Sequence, residues 1–428
     1  MFRRILIALN VLMLATACAL PISQNHEIYG AMEKYEIAYR EIVKNDPDIE
    51  TNLETMADVL KTIDRRYVDS VNPHFLVDQA IIGLREATSP DMEELDPTTR
   101  ALNAMFASLD RYTGYMSPAK FTNYRERLAG RFVGLGIHIK MKDETLHVVS
   151  LLKGSGAEAA GLQDNDKITH VNGISIEGVS LGKARAALKG PSGSTVMLTI
   201  LRKSHASPLQ ISVTRRPIEI AAVEYHVDGD IGYIRIFSFN AKTAPGVATA
   251  LASFDEKLGP QLCGVVLDMR NNPGGLVSAA EAVASSFLDG GNIYAVKNRG
   301  RNMMARDADS GDRVRGAPIV VMMNKNSASS SEIVAGALQY QNRAKIFGET
   351  SYGKGLMQTL LPLDNGGGIR LTTGRFTTGG GPTFHGIGLK PDIPDSKAEG
   401  ESDNQQIDRA AQSLNCSPTL TTAHVMAQ

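Results

Sequence analysis

Two stretches of the chain, Gly264-Val-Val-Leu-Asp268 and Ala317-Pro-Ile-Val-Val-Met-Met323, are continuous apolar runs with no polar alternation. A strand with one wet face alternates, so these runs predict strands covered on both faces. Each is followed by a polar turn and an alanine-rich helical stretch, Ser278 to Leu288 and Ser331 to Leu338. That repetition predicts α/β layers in which loops at strand ends carry the chemistry. The rest of the chain is patterned differently. Leu53, Met56, Leu60, Ile63 and Tyr67 recur at helical spacing and Phe75 to Leu84 repeats the pattern, so residues 30 to about 125 read as helices. From Phe132 the period shortens to β-type runs, Val133 to Ile139, Leu146 to Leu151 and Val196 to Leu201, with a short helix from Ser180 to Leu188. A compact module of strands and helices therefore occupies 130–215.

The first residues read as an address. Arg3 and Arg4 precede the apolar run Ile5 to Leu14, and the small residues Ala15-Thr-Ala lead into Cys18. This is an export signal, and the small residues before Cys18 resemble a lipobox, in which the cysteine is lipidated and becomes the mature N-terminus. Ordinary signal cleavage and an uncleaved anchor are the alternatives. Lys and Arg total 45 against 46 Asp and Glu, a net charge of −1 over 428 residues, so no basic field exists to hold nucleic acid. The three cysteines, Cys18, Cys263 and Cys416, lack the short paired spacings of a thiolate zinc site, and no metal is expected.

Three signals compete for the chemistry. Gly178-Val-Ser180-Leu-Gly182 matches a nucleophile elbow, but the segment before it is short and Ser180 suits the N-cap of the next helix. Gly348-Glu-Thr-Ser-Tyr-Gly353-Lys354 matches a phosphate loop until Gly355, where a magnesium-binding Ser or Thr is required. The third is Asn326-Ser-Ala-Ser329-Ser-Ser-Glu332, between an apolar strand and a helix start. Two neighbours give it weight: Asp268-Met-Arg-Asn-Asn-Pro-Gly274-Gly275, whose glycines let backbone amides face an oxyanion, and Gly353-Lys354-Gly355. The nine histidines are scattered, and His385 alone falls near this region, as a loop residue. A buried lysine can replace histidine as the base, because burial disfavours its charged form.

These motifs resemble the bacterial carboxyl-terminal processing, or tail-specific, serine proteases. The resemblance rests on Asp268 to Gly275, on Ser327-Ala-Ser329-Ser-Ser-Glu-Ile333 and on Gly353-Lys-Gly-Leu-Met-Gln358. It extends to Phe132-Val-Gly-Leu-Gly-Ile137, Ala159 to Gly173 and Leu188 to Gly193, which are similar to landmarks of a PDZ domain. The resemblance implies Ser329 as nucleophile, Lys354 as base and Gln358 as the residue that orients the lysine. It implies amides of Gly274 or Gly275 and of Ser330 as oxyanion donors. Gly134, Leu135, Gly136 and Ile137 would bind the substrate's C-terminal carboxylate. Ser330 stands where the family usually has Ala, Asp110-Arg-Tyr-Thr-Gly-Tyr115 replaces a usual Asp-Pro-His-Ser segment, and Asn165 replaces a Gly.

The expected architecture is a multidomain α+β and α/β chain. It comprises a signal peptide over 1–18, a helical region over 19–129, a PDZ-like module over 130–215, a crotonase/ClpP-like protease core over 216–395, and a polar linker and tail over 396–428. The expected function is cleavage of exported proteins near their free C-termini, without cofactor, in the periplasm or cell envelope, with membrane contact only through lipid on Cys18. A catalytically silent PDZ adaptor and a crotonase-type acyl-transfer enzyme are the rival readings. Neither the substrate nor any activating adaptor is legible in the sequence.

Overall fold

The computed structural model describes residues 22–86, 96–219, 221–300, 303–379 and 381–416, with side chains from residue 26. The signal segment with Cys18 and the tail beyond 416 lie outside the described residues. The chain forms two compact units, one running to Pro118 and taking in residues 298–301 and 357–374, the other holding the remainder.

In the first unit helices span Ile22–Ile42, Ile49–Arg66, Pro73–Arg85 and Pro97–Ala107. Leu53, Met56, Leu60, Ile63 and Tyr67 all point into its core, as their spacing requires. Asn72 and Asp96 cap the third and fourth helices through their side chains, and each is followed by proline at the first helical position. The helical pattern does not run on to 125 without a break: Gly114–Met116 is a strand, antiparallel to residues 368–370. The Asp110 carboxylate folds the turn before it by accepting from the amides of Tyr112 and Thr113, both at 2.7 Å.

In the second unit, strands Ile137–Lys142, Thr145–Leu151, Lys167–Val171, Thr195–Leu201 and Leu209–Thr214 form one antiparallel sheet with Ile137–Lys142 at its edge. Helix Leu181–Leu188 packs with this sheet in one apolar core, and Ser180 is its N-cap, donating no chemistry beyond that. The run Val133 to Ile139 is two strands rather than one. Gly136, at φ +80, breaks it, and Arg131–Gly134 pairs instead with Arg216–Glu219 in a separate ribbon.

The remaining core is a six-stranded sheet in sequence order: β1 Val223–Asp228, β2 Ile231–Ile236, β3 Gly264–Asp268, β4 Ile319–Met323, β5 Ala344–Gly348 and β6 Ile393–Pro394. Only β1 is antiparallel to its neighbour. Every residue of β3 and β4 is buried, because both faces are covered. Helices α1 Thr243–Lys257, α2 Val277–Ser285 and α3 Ser330–Tyr340 pack side by side. A fourth, α4 Asp403–Gln412, contacts β3 and β4 through Ala410, Ala411 and the following Leu414, which join Val266, Val320 and Met322. The polar segment from 396 thus leads into a helix, started by the Ser402 cap. Cys263, just before β3, is disulfide-bonded to Cys416, just after α4.

Candidate active site

Because β2, β3, β4 and β5 are parallel and adjacent, the loops that follow them emerge together at the carboxyl edge of the sheet, where open α/β sheets place their ligands. The segments Phe237 to Asn240, Met269 to Gly275, Asn324 to Ser329 and Glu349 to Gly355 are those loops.

Four serines occupy the third loop and the start of α3, and three of them are structural. Ser327 Oγ donates to the Met269 carbonyl at 2.8 Å, Ser330 Oγ to that of Gly275 at 3.1 Å, and Ser331 Oγ to that of Asn272 at 3.0 Å. These three side chains are buried and sew the serine loop to the loop after β3. Ser329 differs. It is half-buried, directly precedes α3, and has φ 57° and ψ −113°, a conformation that costs a non-glycine residue about 1–3 kcal/mol. The Ser330 hydroxyl, by contrast, is held by the Gly275 carbonyl inside the protein.

The side chain that gathers the site is Glu332, on the first turn of α3 and fully buried. One carboxylate oxygen accepts from the amides of Ser329 at 2.7 Å and Lys354 at 2.8 Å. The other accepts from the Gly353 amide at 2.7 Å and Ser351 Oγ at 2.5 Å. One carboxylate thereby clips the serine loop to the lysine loop, and the Tyr352 amide adds a bond to the Ser327 carbonyl at 3.0 Å. Burial pushes the Glu332 carboxyl above its ordinary pKa, while these donors favour its charged form. The serine motif alone assigns Glu332 no role. The Ser329-x-x-Glu332 capping spacing was the available signal.

Lys354 is half-buried between two glycines whose backbones need room. Gly353 has φ +84, and a Cβ there would lie 2.8 Å from the Gly388 amide nitrogen. One on Gly355 would lie 2.9 Å from that of His385. The His385-Gly-Ile-Gly388 segment thus cradles the lysine loop with its backbone, and the Gly386 amide donates to the Gly353 carbonyl at 2.9 Å. Gln358 lies on the strand Leu356–Pro362, within the first unit.

The loop after β3 distinguishes the two glycines of its pair. The Gly274 amide donates to Asn272 Oδ1 at 2.9 Å, while Asn272 Nδ2 donates to the Ile236 carbonyl at 2.8 Å, so the Gly274 N–H is spent on folding its own loop. What Gly274 contributes is absence of bulk: a Cβ there would stand 2.8 Å from Ser329 Cβ and 2.9 Å from the Ser330 nitrogen. Gly275 is equally constrained, since its Cβ would fall 1.9 Å from the Phe239 carbonyl oxygen. Behind the loop, buried Arg270 doubles back on Asp268, with Nε and Nη2 both donating to that carboxylate, and Tyr233 OH donates to the same group at 2.9 Å.

Elsewhere in the unit, Gly134, Leu135, Gly136 and Ile137 line one groove of about 400 Å³ together with Phe132, Arg185 and Leu188. The Leu135 side chain also belongs to the module's core. Gly136 has no room for a side chain: its Cβ would sit 2.1 Å from that of Ser155.

Comparison with known proteins agrees with these features. The profile of peptidase family S41 matches residues 230–395, and that of the PDZ domain residues 128–201, so α4 lies beyond both matched segments. A carboxy-terminal-processing protease of Bartonella bacilliformis is 41% identical over 308 residues, 72% of this chain and 70% of that one. A carboxyl-terminal-processing protease of Synechocystis is 35% identical over 305 residues, covering 69% and 70%. The structure of a photosystem II D1 C-terminal processing protease superposes with a TM-score of 0.52 at 27% identity, covering 84% of this chain and 97% of that one. With a fold of N-terminal helices, PDZ module and mixed α/β core, the chain belongs to peptidase family S41, as a carboxyl-terminal processing serine protease.

Proposed function

We propose that Ser329 is the nucleophile and Lys354 the general base of this protease. The observation that carries the reading is the Glu332 clip, which ties the backbones of these two residues to one carboxylate. Ser329 Oγ attacks the scissile carbonyl carbon as neutral Lys354 takes its proton, and the lysine returns that proton to the leaving amine. Water then hydrolyses the acyl-enzyme, with Lys354 again as base. The amides of Gly275 and Ser330 hold the oxyanion, a term worth about 3 kcal/mol per donor. The helix start at Ser330 favours that developing charge.

In this reading the groove at Gly134 to Ile137 receives the substrate's free C-terminus and adds its chain to the edge strand Ile137–Lys142. The domain limits are those of the sequence reading, with a PDZ module over 130–215 and a crotonase/ClpP-like core over 216–395. The substrates are exported proteins, and the enzyme works in the periplasm or cell envelope, held by lipid on Cys18 after removal of the signal. The Cys263–Cys416 disulfide supports this location, because such bonds persist in oxidising compartments. No cofactor enters the scheme.

The test is to incubate the soluble form, with Ser329→Ala and Lys354→Arg variants, against exported proteins and to read new C-termini by mass spectrometry. Both variants are expected to lose cleavage while remaining folded, the second because arginine cannot deprotonate to accept the serine proton. Cleavage retained by Lys354→Arg would require another base.

A further inference from the structure

The C-terminal helix does more than cover the sheet. We propose that Gln406 on α4 is a positioning residue for the amide loop 271–275, and that the Cys263–Cys416 disulfide keeps α4 where Gln406 can act. The proposal rests on Gly275 being an oxyanion donor.

The physical argument begins at Arg270, the residue that launches the loop. It is buried, and so are its partners Asp268 and Gln406. Asp268 takes Nε at 3.0 Å, Nη2 at 2.6 Å and the Arg270 amide at 2.9 Å. Nη1 points the other way and donates to Gln406 Oε1 at 2.6 Å. Its nearest carboxylate on that side, Asp403 Oδ1, is 3.9 Å away, beyond hydrogen-bond reach. Removing the Gln406 carbonyl would leave a buried guanidinium N–H without that acceptor, which is more costly than the bond itself is worth. The guanidinium relieves that cost by moving, and the loop moves with it.

Gln406 is itself fixed. Its Nε2 donates to Asp395 Oδ2 at 2.9 Å, and Arg409, one turn along the helix, clasps both oxygens of Asp395 at 2.9 Å. The Arg270 side chain is thus held between a strand residue, Asp268, and a helix of only ten residues. A helix that short is marginal alone. Its apolar seat is small, chiefly Ala410, Ala411 and Leu414, and the disulfide closes it onto the start of β3, the strand that ends in Asp268.

The experiment measures kcat and KM of the full chain on a peptide with a free C-terminus. It also measures affinity for a peptide aldehyde, which needs the oxyanion donors, and for a short C-terminal peptide that needs only the PDZ groove. Gln406→Leu is expected to lower kcat and aldehyde affinity about tenfold, with KM and groove binding within about twofold. The exchange Gln406→Glu with Asp395→Asn keeps an acceptor for Arg270 and is expected to restore kcat to within about threefold. Cys263→Ser with Cys416→Ser is expected to lower kcat as Gln406→Leu does. Unchanged kcat in Gln406→Leu overturns the positioning role, and unchanged kcat in the double serine variant overturns the anchoring role. A loss in Gln406→Leu that appears equally in KM and groove binding, or that the exchange leaves uncorrected, also overturns it. Should Gln406→Leu fail to fold, the exchange and the double serine variant decide. Cleavage by Ser329→Ala would instead refute the site reading beneath the proposal.

Discussion

The serine loop and the PDZ groove solve opposite problems with the same backbone groups. Around Ser329 the polar groups are consumed internally: three serine hydroxyls donate to carbonyls of the neighbouring loop, and four donors converge on Glu332. Along Ile137–Lys142 one side of the strand pairs with Thr145–Leu151, and the other is the sheet's edge, bordering a groove with Arg185 and Lys189 on its far wall. Catalysis needs atoms fixed to within a fraction of an ångström, so its loops are over-determined. Recognition by strand addition, as proposed for this groove, needs an unsatisfied edge, and Ile137–Lys142 is one.

This contrast can be broken most severely at Glu332. Glu332→Gln puts an amide donor among four donors, so kcat should fall about a hundredfold while binding of a C-terminal peptide to the groove holds. Protonation does the same to the native residue. Since burial pushes its pKa up, the clip should be lost on the acid side at a pH above that of an ordinary carboxylate, and comparing the acid limb of kcat in the wild type and Glu332→Gln separates this loss from protonation of Lys354. Equal loss of groove binding in Glu332→Gln would show that the two regions are not separable.

A smaller effect is expected from the substrate side. Amidating a peptide's C-terminus removes the charge that the groove is read to hold and leaves the scissile bond alone, so kcat/KM should drop about tenfold, mostly through KM. Equal cleavage of acid and amide would make the groove a spacer. The smallest effect belongs to Ser330→Ala, which removes one stitch to the Gly275 carbonyl. Denaturant melts should show a loss of about 1 kcal/mol, with kcat changed by no more than about threefold. Abolished activity in that variant would move the nucleophile from Ser329 to Ser330.

Periodicity and runs exposed the parts of the fold that repeat locally. The spacing from Leu53 to Tyr67 placed a buried helix face, and the apolar runs ending at Asp268 and Met323 placed two central strands with their functional loops. Features made by distant partners were not legible. Nothing in Arg131–Gly134 announces pairing with Arg216–Glu219, and nothing in the polar segment after 396 announces that Gln406 meets Arg270, because neither partner is nearby in sequence. The choice between the Gly274 and Gly275 amides was not legible for a related reason. A glycine pair advertises conformational freedom, but which N–H faces outward depends on the Asn272 side chain that takes one of them.

The disulfide has a consequence in time as well as in space. Cys263 and Cys416 are 153 residues apart, and the site residues from Asp268 to Lys354 lie within the ring they close. A chain emerging N-terminus first exposes Ser329 and Lys354 before it can complete that ring, and contacts of such sequence separation form late. The ring also closes only where thiols are oxidised. The scaffold behind the loop 271–275 is therefore completed last, after nearly the whole core has been delivered, and its covalent closure waits for an oxidising medium.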